Sequence, residues 1–387
     1  MAYKTVADVK DSISGILSGI NLNNVVNLNM ALERSAREMA SLISIPESSA
    51  KTTINLYNGV TDYAAPTDIF GASLVDFRPQ SIDRYLNDYV SRKPIAIFDR
   101  TKAYIENGYE LAFEFVKGVG RMRIASTRPT PNVVLDTMSD DTGWTATGSA
   151  SGLVEDETVY YDSPASLRFT LTGSSTGTLT KAVSQVDVSE YEDVCVGFLA
   201  MRTPSIANLT SIAVRVGSSA SAYDEVTETD GFLGAWVVDE WLLVAFDFST
   251  ATATGTPDWN AIDYLQVRVA HTGTITNFRV GGFWLALPSP HTMYYQTAAI
   301  FQVSGSNPSQ TITNNSDSVL LNDQALVIYE HLAAKVIAEQ QGGTLASGLM
   351  QSLMKKLGGN ERDYGLIDLY RASNPSQELR MIGSYYD

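Results

Sequence analysis

The chain has 387 residues, a single cysteine, three histidines and a formal charge of −16. Its hydrophobic share of 44% is enough for real cores and its charged share of 18% is too low for a disordered tail. One cysteine excludes a disulfide framework and a cysteine-ligated zinc site, and the excess of acid excludes a general nucleic-acid binder, whose phosphate contacts need clustered Lys and Arg. The opening MAYKTVADVKD has no apolar run for a signal peptide, and no stretch approaches the roughly 18 apolar residues of a membrane span. The expectation is a soluble chain with no export signal and no membrane partner.

Val6, Val9, Ile13, Ile16, Leu17 and Ile20 recur at steps of three and four and predict an amphipathic helix from Thr5 to about Gly19. A second helix follows, capped by Asn23 or Asn24 and closed by Pro46. Val25, Leu28, Leu32, Ala36, Met39 and Ile43 lie on one face, with Glu33–Arg37 and Arg34–Glu38 paired on the other. The period then changes to two. Lys51–Tyr57, the turn Asn58-Gly59 and Thr61–Ala65 predict one strand pair, and Tyr109–Lys117 with Arg121–Ser126 predicts a second, joined by Gly118-Val119-Gly120. That glycine pair lies near Lys117 and Arg121, but it lacks P-loop spacing and reads as turn chemistry.

From about residue 132 to 288 short alternating runs are separated by polar turns, the pattern of an all-β sandwich. In SLRFTLT, Leu167, Phe169 and Leu171 oppose Arg168, Thr170 and Thr172; in YLQVRVA, Leu265, Val267 and Val269 oppose Gln266 and Arg268. This region also holds the charge. Residues 131–290 carry 20 acids against 6 bases, a balance of −14, and the flanks carry 23 against 21, a balance of −2. All five tryptophans and Cys195 lie in the acidic part. The expected organisation is therefore 1–131, a first host segment; 132–288, an inserted jelly roll; and 289–387, a second host segment. In the last, Asn322 caps a helix with Ala325, Ile328, Tyr329, Leu332, Ala333, Val336 and Ile337 on one face. Two further helices follow, the first from Leu345 to Leu357 and the second from Asp363 to about Ala372, and a polar tail runs from Ser376 to Asp387.

No catalytic constellation is present. His271, His291 and His331 lack metal-binding spacing, and His331 reads as a surface or interface residue. The neighbouring acids Asp140-Asp141, Asp156-Glu157 and Asp239-Glu240 point to opposite sides of a strand. Cys195, within VCVGF, reads as buried and inert. The expectation is no enzyme, no metal and no cofactor. Trp241 and Trp284 lie in apolar runs and read as core. Trp144, Trp236 and Trp259 lie nearer turns and are the indoles available for stacking on sugar rings.

DSPASLRFTLTGSS, DVSEYEDVCVGFLAM, NLTSIAVRVGSS, DEWLLVAFDFS, GTPDWNAIDYLQVRVAHTG and FRVGGFWLAL occur in the order seen in carbohydrate-binding-module-like jelly rolls, which the insert resembles. Many such modules hold a structural calcium closed by a pair of acids; Gly281-Gly282 stands here instead. The flanks resemble the head-to-tail adaptor (connector) proteins of tailed bacteriophages, through Leu56, Gly59, Tyr63, Pro66, Asp68 and Ile69, and through MYYQTAAIF followed by SDSVLLNDQALVIYEHLAAKVIAE. That resemblance implies an α+β fold, a helical adaptor domain with small β-hairpins interrupted by the jelly-roll sandwich. It further implies a structural virion protein at the neck, assembled in the host cytoplasm as a homo-oligomeric ring of about twelve copies. Its partners would be the portal, met by Arg380, Tyr385 and Tyr386, and the next tail component (nozzle or tail tube), met by the hairpin of Lys117, Arg121 and Arg123, which could also face DNA. Genome DNA would pass through the lumen without specific binding. The alternative is a glycan- or receptor-binding tail protein whose jelly roll is the working part, through Trp144, Trp236 and Trp259.

Overall fold

The computed structural model describes residues 3–18, 22, 27–43, 49–66, 75–79, 96–97, 111–116, 121–126, 131, 133–161, 164–341, 343–359 and 365–373. After the two-residue strand β1 (Lys4–Thr5), Thr5 caps α1 (Val6–Ile16). Its hydroxyl accepts from the Asp8 amide at 3.2 Å and the Asp8 carboxylate accepts from the Thr5 amide at 2.9 Å, a closed capping box. The second helix, α2 (Leu28–Leu42), begins later than Asn23 or Asn24. Asn27 precedes it in the left-handed region, with φ 59° and no side-chain cap bond. Three of the four charges expected to pair along α2 make contacts across the molecule: Glu33 accepts the Ile312 amide, Arg34 meets Glu339 at 3.4 Å and Glu38 meets Lys335 at 2.5 Å.

The strands that follow are β2 (Ser49–Leu56), β3 (Asp62–Ala64), β4 (Val75–Pro79), β5 (Ala96–Ile97), β6 (Leu111–Val116) and β7 (Arg121–Ser126). Next come β8 (Val133–Asp136), β9 (Thr145–Gly148), β10 (Ala150–Asp156), β11 (Ser166–Leu171), β12 (Ser175–Val186), β13 (Val196–Arg202) and β14 (Leu209–Ser219). Then follow β15 (Ala222–Glu228), β16 (Leu242–Asp247), β17 (Thr252–Thr254), β18 (Ile262–His271) and β19 (Ile275–Ala286). The chain closes with β20 (Ser289–Gln296), β21 (Phe301–Gln302), β22 (Ser318–Val319), α3 (Asp323–Gln341), α4 (Gly343–Gly358) and α5 (Leu366–Ser373).

Strands β8 to β19 form two antiparallel six-stranded sheets. The first has the order β10-β11-β19-β13-β16, with β8 also paired to β19; the second is β17-β15-β14-β18-β12-β9. Alternation places Leu167, Phe169, Phe278 and Val280 of the first sheet against Ile212, Val214, Val267 and Val269 of the second, all buried in one core. Cys195 is buried in that core, and burial pushes its thiol up to about 12, so it is not a nucleophile at neutral pH.

Outside the sandwich the structure corrects two expectations. The Asn58-Gly59 turn does not make a hairpin. Gly59 turns the chain at φ 82°, but β3 pairs with β7, whereas β2 pairs along all of its length with β20, which also carries β4. Only β6 and β7 form the hairpin that the spacing predicts. The expected α+β class, a helical domain with small β-hairpins interrupted by a jelly roll, is overturned by the same pairings: strand far exceeds helix among the described residues, and β2, β4 and β20 build one sheet from both flanks in place of a local hairpin. The physical reason is that the 3.6-residue period announces a helix locally, while a strand pairing between distant segments leaves no local mark.

The helices pack with one another. Val6, Val9 and Ile13 of α1, Leu32, Ala36 and Met39 of α2, and Ile328, Leu332 and Val336 of α3 share one apolar cluster. Asn322 caps α3 through the Ala325 amide at 2.9 Å, as predicted. Fully buried Tyr329 donates to the Leu32 carbonyl at 3.1 Å. His331, expected as a surface or interface residue, is buried in the chain with its Nδ1 donating to the Val327 carbonyl at 2.7 Å, and burial lowers its pKa.

A third cluster joins the parts. Phe198 and Trp284, on the outer face of the first sheet, stack at 5.8 Å. Tyr57 stands edge-on to Phe198 at 5.1 Å, and Phe232 bridges Phe198 and Tyr63. Tyr63 is held by its own turn: its hydroxyl accepts the Tyr57 amide at 2.8 Å and donates to the Val60 carbonyl at 3.2 Å. Because Phe198 is the centre of this cluster, Phe198→Ala is expected to lower the unfolding free energy by about 3–5 kcal/mol, read as an earlier urea midpoint.

Candidate functional site

The outer face of the first sheet is covered in part by the Phe198 cluster, and a row of polar side chains lies on the outer face of the second. Period-two alternation sends Glu225 of β15, Arg215 of β14, Gln266 of β18 and Thr180 of β12 to its outer side, and register aligns them in one row. They hydrogen-bond in series. Arg215 Nε donates to Glu225, Arg215 Nη1 to Gln266 Oε1 at 3.0 Å, and Gln266 Nε2 to Thr180 Oγ1 at 2.9 Å. Arg268, one row away beside Thr178, also donates to Glu225 Oε2, at 2.8 Å. Burial alone would raise the Glu225 carboxyl, but hydrogen bonds from Arg215 and Arg268 outweigh it and hold it below the usual range. These side chains are all half-buried, so the row is rigid and still reachable.

On the other side of the row Tyr223 and Tyr264 flank Gly217. Any Cβ at Gly217 would collide with the Ala222 carbonyl and Tyr223, so glycine lets the two rings close over it, 6.2 Å apart. The Arg215 guanidinium lies over the Tyr223 ring at 4.3 Å. Both tyrosines are only 9% exposed, so they form a wall and not an open platform.

The tryptophans proposed for sugar stacking are corrected by burial. Trp144 is 7% exposed, with its indole facing Asp136 at 3.4 Å and Lys181 over its ring; Trp236 is 9% exposed; Trp259 is 2% exposed and donates to Asp224 at 2.8 Å. None presents a ring face, because each indole fills the sandwich core. Trp284 is buried in the joint, while Trp241 is half-buried, its ring against Gly281 and Tyr161. Gly281-Gly282 forms a β-bulge with Gly282 at φ 92°. Arg121 and Arg123 lie on β7, opposite Val116 and Glu114; Lys117, Arg380, Tyr385 and Tyr386 lie outside the described residues, as do Asp68 and Ile69.

Among the described residues no three His, Cys, Asp or Glu side chains gather to hold a metal, and no helix is long and apolar enough to cross a membrane. Asp136 is paired with Lys181 at 2.7 Å. His271 donates from Nδ1 to the Gly273 carbonyl and its Nε2 accepts from Ser149 at 2.6 Å, which ties the β9–β10 corner to β18. On the uncovered part of the first sheet, Arg168, Arg279 and Arg202 stand side by side in register. Asp156 offsets their repulsion, meeting Arg279 at 2.9 Å and Arg168 at 3.5 Å.

No protein family matches the sequence, and no curated protein does. Solved structures do match. One is a family 11 carbohydrate-binding module from Clostridium thermocellum, in complex with a β-1,3-1,4-mixed-linked tetrasaccharide: 14% identical, TM-score 0.30, covering 40% of this chain and 94% of that one. Another is the family 30 module of a cellulosomal cellulase of the same organism, 12% identical, TM-score 0.29, covering 42% and 96%. A third is the C-terminal family 22 module of Clostridium thermocellum Xyn10B, 14% identical, TM-score 0.27, covering 41% and 93%. The likeness is to β-sandwich carbohydrate-binding modules. At these TM-scores it carries no argument about what the chain binds, which has to come from the second sheet's own side chains.

Asp156 gives a pH test of the arginine row. Burial would raise its carboxyl, but hydrogen bonds from the Thr158 hydroxyl and amide and from Arg279 hold it at about 2. An unfolded aspartate titrates at about 3.9. The stabilisation is therefore complete above about pH 4 and is lost as pH falls through about 2. Asp156→Asn is expected to lower the thermal midpoint at neutral pH, with the difference from the parent protein shrinking toward about pH 2.

Proposed function

We propose that the chain is a non-catalytic saccharide-binding protein whose working surface is the outer face of the second sheet. The observation that carries this reading is the hydrogen-bonded row Glu225, Arg215, Gln266 and Thr180, bordered by the Tyr223–Tyr264 pair. A saccharide presents several hydroxyls in a near-planar array, and a fixed row of amide, hydroxyl and guanidinium groups matches such an array without reorganising. The surrounding outward positions, Thr178, Thr227 and Thr252, are also hydroxyl-bearing and polar. On a glycan array the protein is expected to retain a defined subset of glycans. Gln266→Ala, which removes the middle of the row, should weaken retention by about fivefold to tenfold, the value of one hydrogen bond. Retention of no glycan by the folded protein rejects the reading.

A second reading, the neck adaptor of a tailed phage with portal and tail-component partners, has one observation in its favour. Met30, Val327, Met354 and Leu369, large apolar side chains on α2, α3, α4 and α5, stand exposed. Such side chains fit side-by-side contact between copies. Light scattering of the purified chain is expected to show a single closed oligomer under this reading. A monomer at all concentrations, with and without portal protein, rejects it.

A further inference from the structure

The charge on the second sheet's outer face departs from that of its surroundings. Residues 131–290 carry 20 acids and 6 bases, yet the outward side chains of the central rows include two cations, Arg215 and Arg268, and one anion, Glu225. Both guanidiniums converge on a single atom, Glu225 Oε2. Arg215 is used further, by Gln266 and by the Tyr223 ring. Arg268 is not: its bond to Glu225 is the only one it makes among the described residues, and its side chain is 32% exposed. Nitrogens of its fork therefore stay open for a second acceptor.

The aromatic contribution points the same way. Neutral saccharides gain much of their affinity by laying a sugar's apolar face on an exposed ring. Here Tyr223 and Tyr264 are nine-tenths buried and Arg215 covers one of them, so that source of affinity is small. What remains is hydrogen bonding, and it is strongest when the acceptor is ionised and meets a guanidinium fork.

We infer that the face selects a carboxylate-bearing saccharide of the hexuronic-acid type, its carboxylate on Arg268 and its hydroxyls along Gln266 and Thr180. This rests on the reading of that face as a saccharide site and adds the ligand's charge to it. The excess of acid elsewhere on the sandwich does not oppose it at contact range, because charges beyond about 8 Å are largely screened at physiological salt.

Calorimetric titration of the full chain tests the inference, using a panel of galacturonate, glucuronate and mannuronate trisaccharides, their carboxyl-reduced neutral counterparts, and acetate. At least one uronide is expected to bind about tenfold or more tighter than its reduced counterpart, the value of one charge-assisted bond. Arg268→Gln should erase that preference, and Arg268→Lys, which keeps the charge and loses the fork, should restore part of it. Thermal unfolding of each variant confirms that it is folded. If reduced trisaccharides bind as tightly as the uronides, the inference is overturned and the saccharide reading stands. If acetate binds as well as any uronide, the site is a bare carboxylate site and the inference is overturned. If no saccharide binds the folded protein, both readings fall.

Discussion

One long-range pairing constrains the molecule. Strand β2, near the start of the chain, lies antiparallel to β20, which follows the sandwich, with eight consecutive residues matched from Ser49–Gln296 to Leu56–Ser289. Directly after β2 the turn at Gly59 and the Tyr63 hydroxyl fix Tyr57 and Tyr63 against Phe198 and Phe232. The outer face of the first sheet is thereby closed over part of its area. Among the described residues the outer face of the second sheet carries no such cluster, and its polar row stays half-exposed.

The sequence disclosed what depends on neighbours along the chain. The helix expected from Thr5, and the one capped by Asn322, begin where their local patterns place them. The alternation in SLRFTLT and YLQVRVA sorts inward from outward residues, and it already set Gln266 and Arg268 on the outer side. Residues 180, 215, 225 and 266 are far apart in the chain, and only cross-strand register makes them one row. The tryptophans misled for a related reason. Proximity to a turn says that the backbone nears the surface, but an indole is long enough to turn back into the core, as Trp259 does toward Asp224. The pairing of β2 with β20 has no local signature, so the strand expected over Lys51–Tyr57 finds its partner beyond the sandwich and not across the Asn58-Gly59 turn.

Charge is distributed with the same economy. Of the six cations in the sandwich region, Arg168 and Arg279 meet Asp156, Arg202 beside them in the row meets Asp239, Lys181 meets Asp136, and Arg215 with Arg268 meets Glu225. The many acids without a cation nearby lie mostly at loops and turns, where water screens them. A strongly negative sandwich in this way sets two cations against one anion in the central rows of its second sheet.

The bond between Trp259 and Asp224 links the core to that face. Asp224 points inward to the indole from β15, and its immediate neighbours Tyr223 and Glu225 point outward into the row. The indole N–H, at 2.8 Å from a carboxylate and with Phe248 edge-on at 5.6 Å, sits in a fixed dipolar environment that any shift of β15 alters. Among the chain's five tryptophans, Trp259 thus contributes an emission that depends on where β15 stands, and so on the opposite side of the strand.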